Sequence, residues 1–331
     1  MNIFVAIPAG VIRDSFFSSA LLAELGGMGN VTMNEGTEQL TSQQLCEQIK
    51  NVDICITGWG TPRFDEAVLQ NANQLKLIAH AGGTVASIVS EAVFEKGIRV
   101  LSGNEIFARS VAEGVIAYML VALRKIPYYM KEMQTTGWRG DAFENDGLLE
   151  QTVGIVSFGT ISRYVIEMLS AFQVKIKVYS KHLSQEDQER YGIEQVSLEE
   201  LFSTCKVISV HSASNPQTFH MIDRALLNRI QKGAVLVNTS RGNVIDEQAL
   251  ADVLHENRFR AILDVFEEEP LPMSSALRGL ENVMLIPHMG GPTMDRRLLV
   301  TKGLLADIVR WQKKEPLWLE ISKKQANYMT R

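Results

Sequence analysis

Residues 153–164 read VGIVSFGTISRY, an apolar run that ends in small residues. A dinucleotide-binding turn uses three glycines: one for the tight turn, one for close approach of the pyrophosphate, one for helix–strand packing. Here those places hold Ser157, Gly159 and Ser162, so only the middle glycine remains. Serine is the mildest replacement where φ is negative, and Gly159 stands where a side chain would most directly obstruct phosphates. A helix predicted from Thr160 offers its free N–H groups and positive dipole end to an anion. Read alone, the segment also suits a tight β–α turn that binds nothing.

Working outward, short apolar runs alternate with helical patterns along most of the chain. NIFVAI precedes FFSSALLAEL, VDICIT precedes DEAVLQNA, and LKLIAHA precedes SEAVFEKG. A second series begins near Gln151 with TVGIVSF, KIKVYS, VISVHS, AVLVNTS, RAILDVF and NVMLIPH as strands. This alternation predicts an α/β chain of open parallel sheets with flanking helices. Between the series, residues 105–126 read as a helix apolar on nearly every face, and so buried.

The 331 residues suffice for two domains. A formal charge of −5 gives no general attraction to nucleic acid or to an anionic membrane. No run approaches the roughly 18 apolar residues of a membrane span, and the N-terminus lacks the charged start of a signal peptide. The three cysteines, Cys46, Cys55 and Cys205, are scattered without a C-x-x-C pair. Reduced thiols in a cytoplasmic protein are therefore expected, with no metal site.

Ligands of open α/β sheets bind at the carboxyl ends of strands. Three such ends carry chemistry: NTSRG with Arg241, DVFEEEP with Asp264 and Glu269, and PHMGG with His288. Arg241 suits an anionic substrate through a forked pair of hydrogen bonds, or else a surface ion pair with Asp246 or Glu247. At the end of KVYS, the acidic residue that binds a ribose 2′-hydroxyl is replaced by Ser180, followed by Lys181. No carboxylate repels a 2′-phosphate there, which favours NADP over NAD.

LKLIAHAGG, ARSVAEG, TVGIVSFGTISR, NTSRGNVIDEQAL, LDVFEEEPLP and NVMLIPHMGG together resemble, in order and spacing, the D-isomer-specific 2-hydroxyacid dehydrogenases. The resemblance implies a flavodoxin-like substrate domain (1–101 plus 290–331) and an inserted Rossmann domain for NAD(P) (102–289). It implies hydride transfer between a nicotinamide cofactor and a small anionic 2-hydroxy or 2-keto acid, D-specific. Arg241 would bind the substrate, His288 transfer the proton, and Glu269 orient the histidine. Cofactor contacts would come from Ser157, Gly159, Thr160, Ile161, Ser180, Lys181, His211, Ser212, Thr218, Thr239, Ser240, Asp264 and Gly290. Trp59, Gly82 and Gly83 would join Arg241 around the substrate. The 105–126 helix and the GWRGDAF segment match the region through which members form homodimers.

The sequence departs from the family in places. No aspartate follows the glycines of HAGGTVASIV, Phe107 stands where asparagine is common, and Ala213 replaces a proline. Trp59 would narrow the pocket or pack in the core. Arg63 would meet a second anionic group or be solvated. The alternative function is a catalytically weak NAD(H)-sensing protein of corepressor type.

Overall fold

The computed structural model describes residues 1–140 and 143–329. Asp141 and Ala142 of the GWRGDAF segment, and Thr330 and Arg331, lie outside the described residues. The chain divides into two compact units, Met1–Ala108 with Pro292–Arg331, and Arg109–Gly291.

The first unit holds β1 (Asn2–Val5), β2 (Asn30–Met33), β3 (Ile54–Thr57), β4 (Leu77–His80) and β5 (Arg99–Ser102). They pair in parallel in the order β2-β1-β3-β4-β5, the flavodoxin-like order. Strands β3 and β4 are buried throughout, which is why they read as continuous apolar runs. The expected helix over FFSSALLAEL is instead two, Val11–Phe16 and Ser19–Met28. Ser18 breaks it: its hydroxyl accepts the Leu21 N–H at 3.3 Å and starts the second helix as an N-cap.

The second unit holds β6 (Thr152–Val156), β7 (Lys175–Tyr179), β8 (Glu194–Gln195), β9 (Val207–Val210), β10 (Val235–Asn238), β11 (Arg260–Leu263) and β12 (Val283–Leu285). Their order, β12-β11-β10-β9-β6-β7-β8, is that of a Rossmann sheet extended by one strand. Sequence reading overlooked β2 and β8. Both lie at sheet edges, and β8 is exposed, so neither carries the apolar run that marks a central strand.

The helix expected over 105–126 runs Asn104–Leu123 and is long and apolar enough to cross a bilayer by length and composition. Its apolar residues have a local use. Val111, Val115, Met119 and Leu123 are buried and pack with Val153, Ile155 and Val207 of the second sheet. Such side chains each contribute about 1.5–3 kcal/mol on burial.

At the end of β4, His80 is 2% exposed, with Nδ1 3.0 Å from the Thr57 hydroxyl. Burial pushes its pKa down to about 4. Because the native value lies below the unfolded one, near 6.5, the unfolded chain binds more protons between them. The neutral imidazole's contribution is thus complete above about pH 6.5 and is lost as pH falls toward 4. Urea midpoints measured from pH 7.5 to 5 should fall, and fall less steeply in His80→Gln; parallel slopes would remove His80 from the acid response.

Candidate active site

The Rossmann sheet reverses direction of winding between β6 and β9, and the loops leaving those strands are where ligands of such sheets bind. Ser157, just after β6, has φ +76°. Serine is a mild replacement only where φ is negative, and here the turn needs the left-handed region that favours glycine. Neighbours hold it there. Its N–H donates to the Tyr179 carbonyl at 2.7 Å, its hydroxyl meets that of Ser212 at 2.6 Å, and its carbonyl accepts from Ser162 Oγ at 2.8 Å. The two serines that replace glycines therefore bond to one another's segment, and Ser212 ties them to the end of β9.

Gly159 precedes the Thr160–Leu169 helix in extended conformation, and no side chain caps that helix from its N-cap position. A Cβ built on Gly159 would meet nothing within 4 Å. Neither backbone strain nor protein packing requires glycine there, and the open ground before the helix N–H groups suits an anion. Two further observations fit a dinucleotide. Thr239 Oγ1 and His211 Nδ1 are buried without a hydrogen-bond partner among the described residues, and a ligand's polar groups would supply one. Burial also drives the His211 pKa down to about 4, so its ring is neutral.

Other proposed contacts are committed to their own loops. Thr218 Oγ1 donates to the Ala213 carbonyl at 2.6 Å, and Ser240 Oγ donates to Asn238 Oδ1 at 2.7 Å. Ser180 is buried, and its hydroxyl accepts the His182 N–H at 3.2 Å, whereas Lys181 is exposed. Thr160 and Ile161 are half-buried in the first turn of their helix.

The chemistry-bearing residues sit on loops after β10, β11 and β12. Glu269 Oε2 lies 2.5 Å from His288 Nδ1, and Glu269 Oε1 accepts the Phe266 N–H at 3.0 Å. One carboxylate oxygen is thus fixed by its own loop and the other orients the imidazole. His288 has φ +47°, and its side chain is about half exposed at 48%. Its loop is gripped from below: Asp264 accepts the Met289 and Gly290 N–H groups, one on each oxygen, both at 2.8 Å. Gly290 is glycine for this reason, since a Cβ there would stand 2.4 Å from Asp264 Oδ2. Burial raises the Asp264 pKa, while the two backbone donors and the His288 charge oppose it.

Arg241, extended at φ −146°, donates through Nη1 to the Ser240 carbonyl at 2.6 Å. Asp246 instead caps its own helix by accepting the Ala249 N–H, and Glu247 accepts from the Glu267 backbone. Burial depresses the Arg241 pKa, and the Glu269 carboxylate works against that. The residue after it, Gly242, packs on the backbone of the Glu269 loop. A Cβ there would come 1.9 Å from the Phe266 carbonyl carbon. A clamp missed from sequence holds the same loop: Glu267 Oε1 accepts from His220 Nε2 at 2.8 Å and from the Glu247 N–H at 3.0 Å. A lone histidine in QTFHMI carried no signal of it.

In the first unit, Gly82 and Gly83 follow β4. A Cβ on Gly82 would stand 2.2 Å from His80 Nε2, so the buried ring dictates that glycine. Ser102 Oγ donates to the Gly83 carbonyl at 2.5 Å and fixes the loop from the neighbouring strand. Trp59, two residues past β3, is 39% exposed and does not pack wholly in the core. Arg63 is exposed.

The Gly242 contact gives a direct test. Gly242→Ala should cost about 2 kcal/mol or more, because a backbone segment must move. Gly291→Ala, with no atom within 4 Å of its Cβ, should change stability by less than about 0.5 kcal/mol. Equal midpoints in denaturant for the two variants would contradict the packing argument.

The sequence profile described as D-isomer specific 2-hydroxyacid dehydrogenase, NAD binding domain, matches residues 116–290. The D-3-phosphoglycerate dehydrogenase of Methanocaldococcus jannaschii is 36% identical over 256 residues, which is 77% of this chain and 48% of that protein. The chain spans about half the length of the D-3-phosphoglycerate dehydrogenases it matches. The glyoxylate reductase of Thermococcus litoralis is 34% identical over 274 residues, 79% of this chain and 82% of the relative. Among solved structures, an acyclic imino acid reductase in complex with NADPH and D-Arg superposes with a TM-score of 0.80 at 25% identity, covering 97% of this chain and 100% of that one. With its sheet orders, its strand-end loops and these matches, the chain belongs to the D-isomer-specific 2-hydroxyacid dehydrogenase family.

Proposed function

We propose that the protein is an oxidoreductase acting on small 2-hydroxy and 2-keto acids with a nicotinamide cofactor, specific for the D-isomer. The observation that carries this reading is the 2.5 Å pair of Glu269 and His288 on the loop gripped by Asp264. When bound, the reduced cofactor supplies a hydride to the substrate's carbonyl carbon. His288, held through Nδ1, delivers a proton from Nε2 to the carbonyl oxygen. Glu269 keeps the ring aimed and balances its charge. Arg241, part-buried and pre-positioned by its loop, binds the anionic substrate and stabilises negative charge as it grows on that oxygen. Oxidation of the hydroxy acid uses the same groups in reverse.

The end of β7 supports NADP over NAD. Ser180 replaces the acidic residue that would repel a 2′-phosphate, and Lys181 is exposed beside it. Exposed Trp138 of the GWRGDAF segment, with Tyr128, Met130 and Met133 between it and the 105–126 helix, supports a homodimer through those two segments. The three free thiols accord with a cytoplasmic location.

Two experiments test the reading. His288→Ala should lower turnover by about 10²- to 10⁴-fold while cofactor binding, followed by nucleotide fluorescence, is largely kept; near wild-type turnover would remove His288 from the mechanism. A panel of glyoxylate, hydroxypyruvate, pyruvate, phenylpyruvate and 2-ketoisocaproate should oxidise NADPH with a lower KM than NADH. A tenfold preference for NADH would overturn the NADP reading, and no oxidation of either would turn the reading toward a cofactor sensor.

A further inference from the structure

Two glutamates of the 266–269 loop are held in the same way. Glu269 accepts the Phe266 N–H on one carboxylate oxygen and meets His288 with the other. Glu267, two residues before it, accepts the Glu247 N–H at 3.0 Å and His220 Nε2 at 2.8 Å. Each carboxylate thus takes one backbone N–H and one imidazole. His288 has a place in the proposed reaction; His220 has none so far.

His220 also reaches the neighbouring loop. Its backbone N–H donates to the Asn243 carbonyl at 2.9 Å, two residues past Arg241, and Ile222 continues the pairing with Val244 and Ile245. By main chain it therefore ties the loop that bears Arg241, and by side chain the loop that bears Glu269. These are the two loops that meet where Gly242 packs on the backbone of Phe266 and Glu267.

The geometry at His220 is imposed by its surroundings. Its φ is +49°, in the left-handed region that few residues other than glycine adopt. The Phe219 ring stacks on the imidazole, 3.9 Å between centres and 16° between planes, which holds the ring against rotation. Glu267 has no other ion pair among the described residues, and further carboxylates crowd it. Burial first, and the charges of Glu267 and Glu268 after it, hold the Glu247 pKa above the ordinary value. The His220 N–H meets that negative charge at the point where the two loops touch.

We propose that His220 is a positioning residue for the proton-transfer pair: through Glu267 it sets the 266–269 loop so that Glu269 holds His288. This role rests on the reaction proposed above, since it acts through His288.

The test compares His220→Asn with His220→Gln in ¹⁵N-histidine-labelled protein. Asparagine tolerates the left-handed backbone but falls a methylene short of Glu267, whereas glutamine carries an amide N–H about as far as the imidazole did. In the free protein the ring-nitrogen shifts of His288, assigned by their loss in His288→Ala, report its bond to Glu269, and Glu269→Gln gives their values when that carboxylate is absent. They should move toward those values in His220→Asn and stay near wild type in His220→Gln. Glu267→Ala, which leaves residue 220 untouched, should move them in the same direction even if His220→Asn does not fold. With the best 2-keto acid of the panel, His220→Asn should lower kcat by about tenfold to a hundredfold with KM and cofactor affinity nearly kept, and His220→Gln should recover most of the loss. Added to His288→Ala, the asparagine should cost nothing more. Unmoved His288 shifts, or an equal loss of turnover with and without His288, would overturn the positioning role and leave the reaction standing. Shifts that move as expected in a protein that reduces no acid support the positioning role and overturn the reaction.

Discussion

No side chain fits at Gly242. The backbone of residues 266–267 lies so close that a Cβ there would occupy the Phe266 carbonyl carbon's space. That single contact locks the loop bearing Arg241 to the loop bearing Glu269. From Glu269 the constraint passes to His288 through a 2.5 Å pair, and the His288 loop is fixed in turn by both oxygens of Asp264. The loops after three strands are thereby tied to one another, as the electrostatic role proposed for Arg241 and His288 requires. The reciprocal bonds between Glu247 and Glu267, and the His220 contact, stiffen the same loop from outside.

The two sheets solve the same problem in parallel ways. Each winds in both directions from a central pair of strands, and each leaves a crevice where it reverses. In the Rossmann unit the loops there carry serine hydroxyls and a helix that starts from Gly159, a setting suited to a phosphorylated nucleotide. In the flavodoxin-like unit the loop after β3 carries Trp59, whose ring lies under the Arg297 guanidinium. Each unit also holds a buried neutral imidazole just past or at the end of a central strand, His80 in one and His211 in the other.

Much of this was legible in the sequence because central parallel strands are buried on both faces and announce themselves as apolar runs. NTSRG, DVFEEEP and PHMGG stood out only together, because three strand ends of one sheet carry an arginine, a glutamate and a histidine. The edges were not legible: β2 and β8 bury too little to carry a pattern. Nor was the backbone of Ser157, since φ is set by the Ser212 and Tyr179 contacts and not by the residue itself. His220 escaped notice because its partner Glu267 lies 47 residues away, and a lone histidine says nothing about such a contact.

The handedness of the product tests the account most directly. If Arg241 holds the substrate and His288 protonates one defined oxygen while hydride reaches one face of the carbonyl, reduction of any accepted prochiral 2-keto acid must give a single enantiomer. Chiral chromatography of the hydroxy acid formed should show the D-isomer alone. A racemate would contradict the arrangement derived from these loops, and the L-isomer would contradict the D-specific reading.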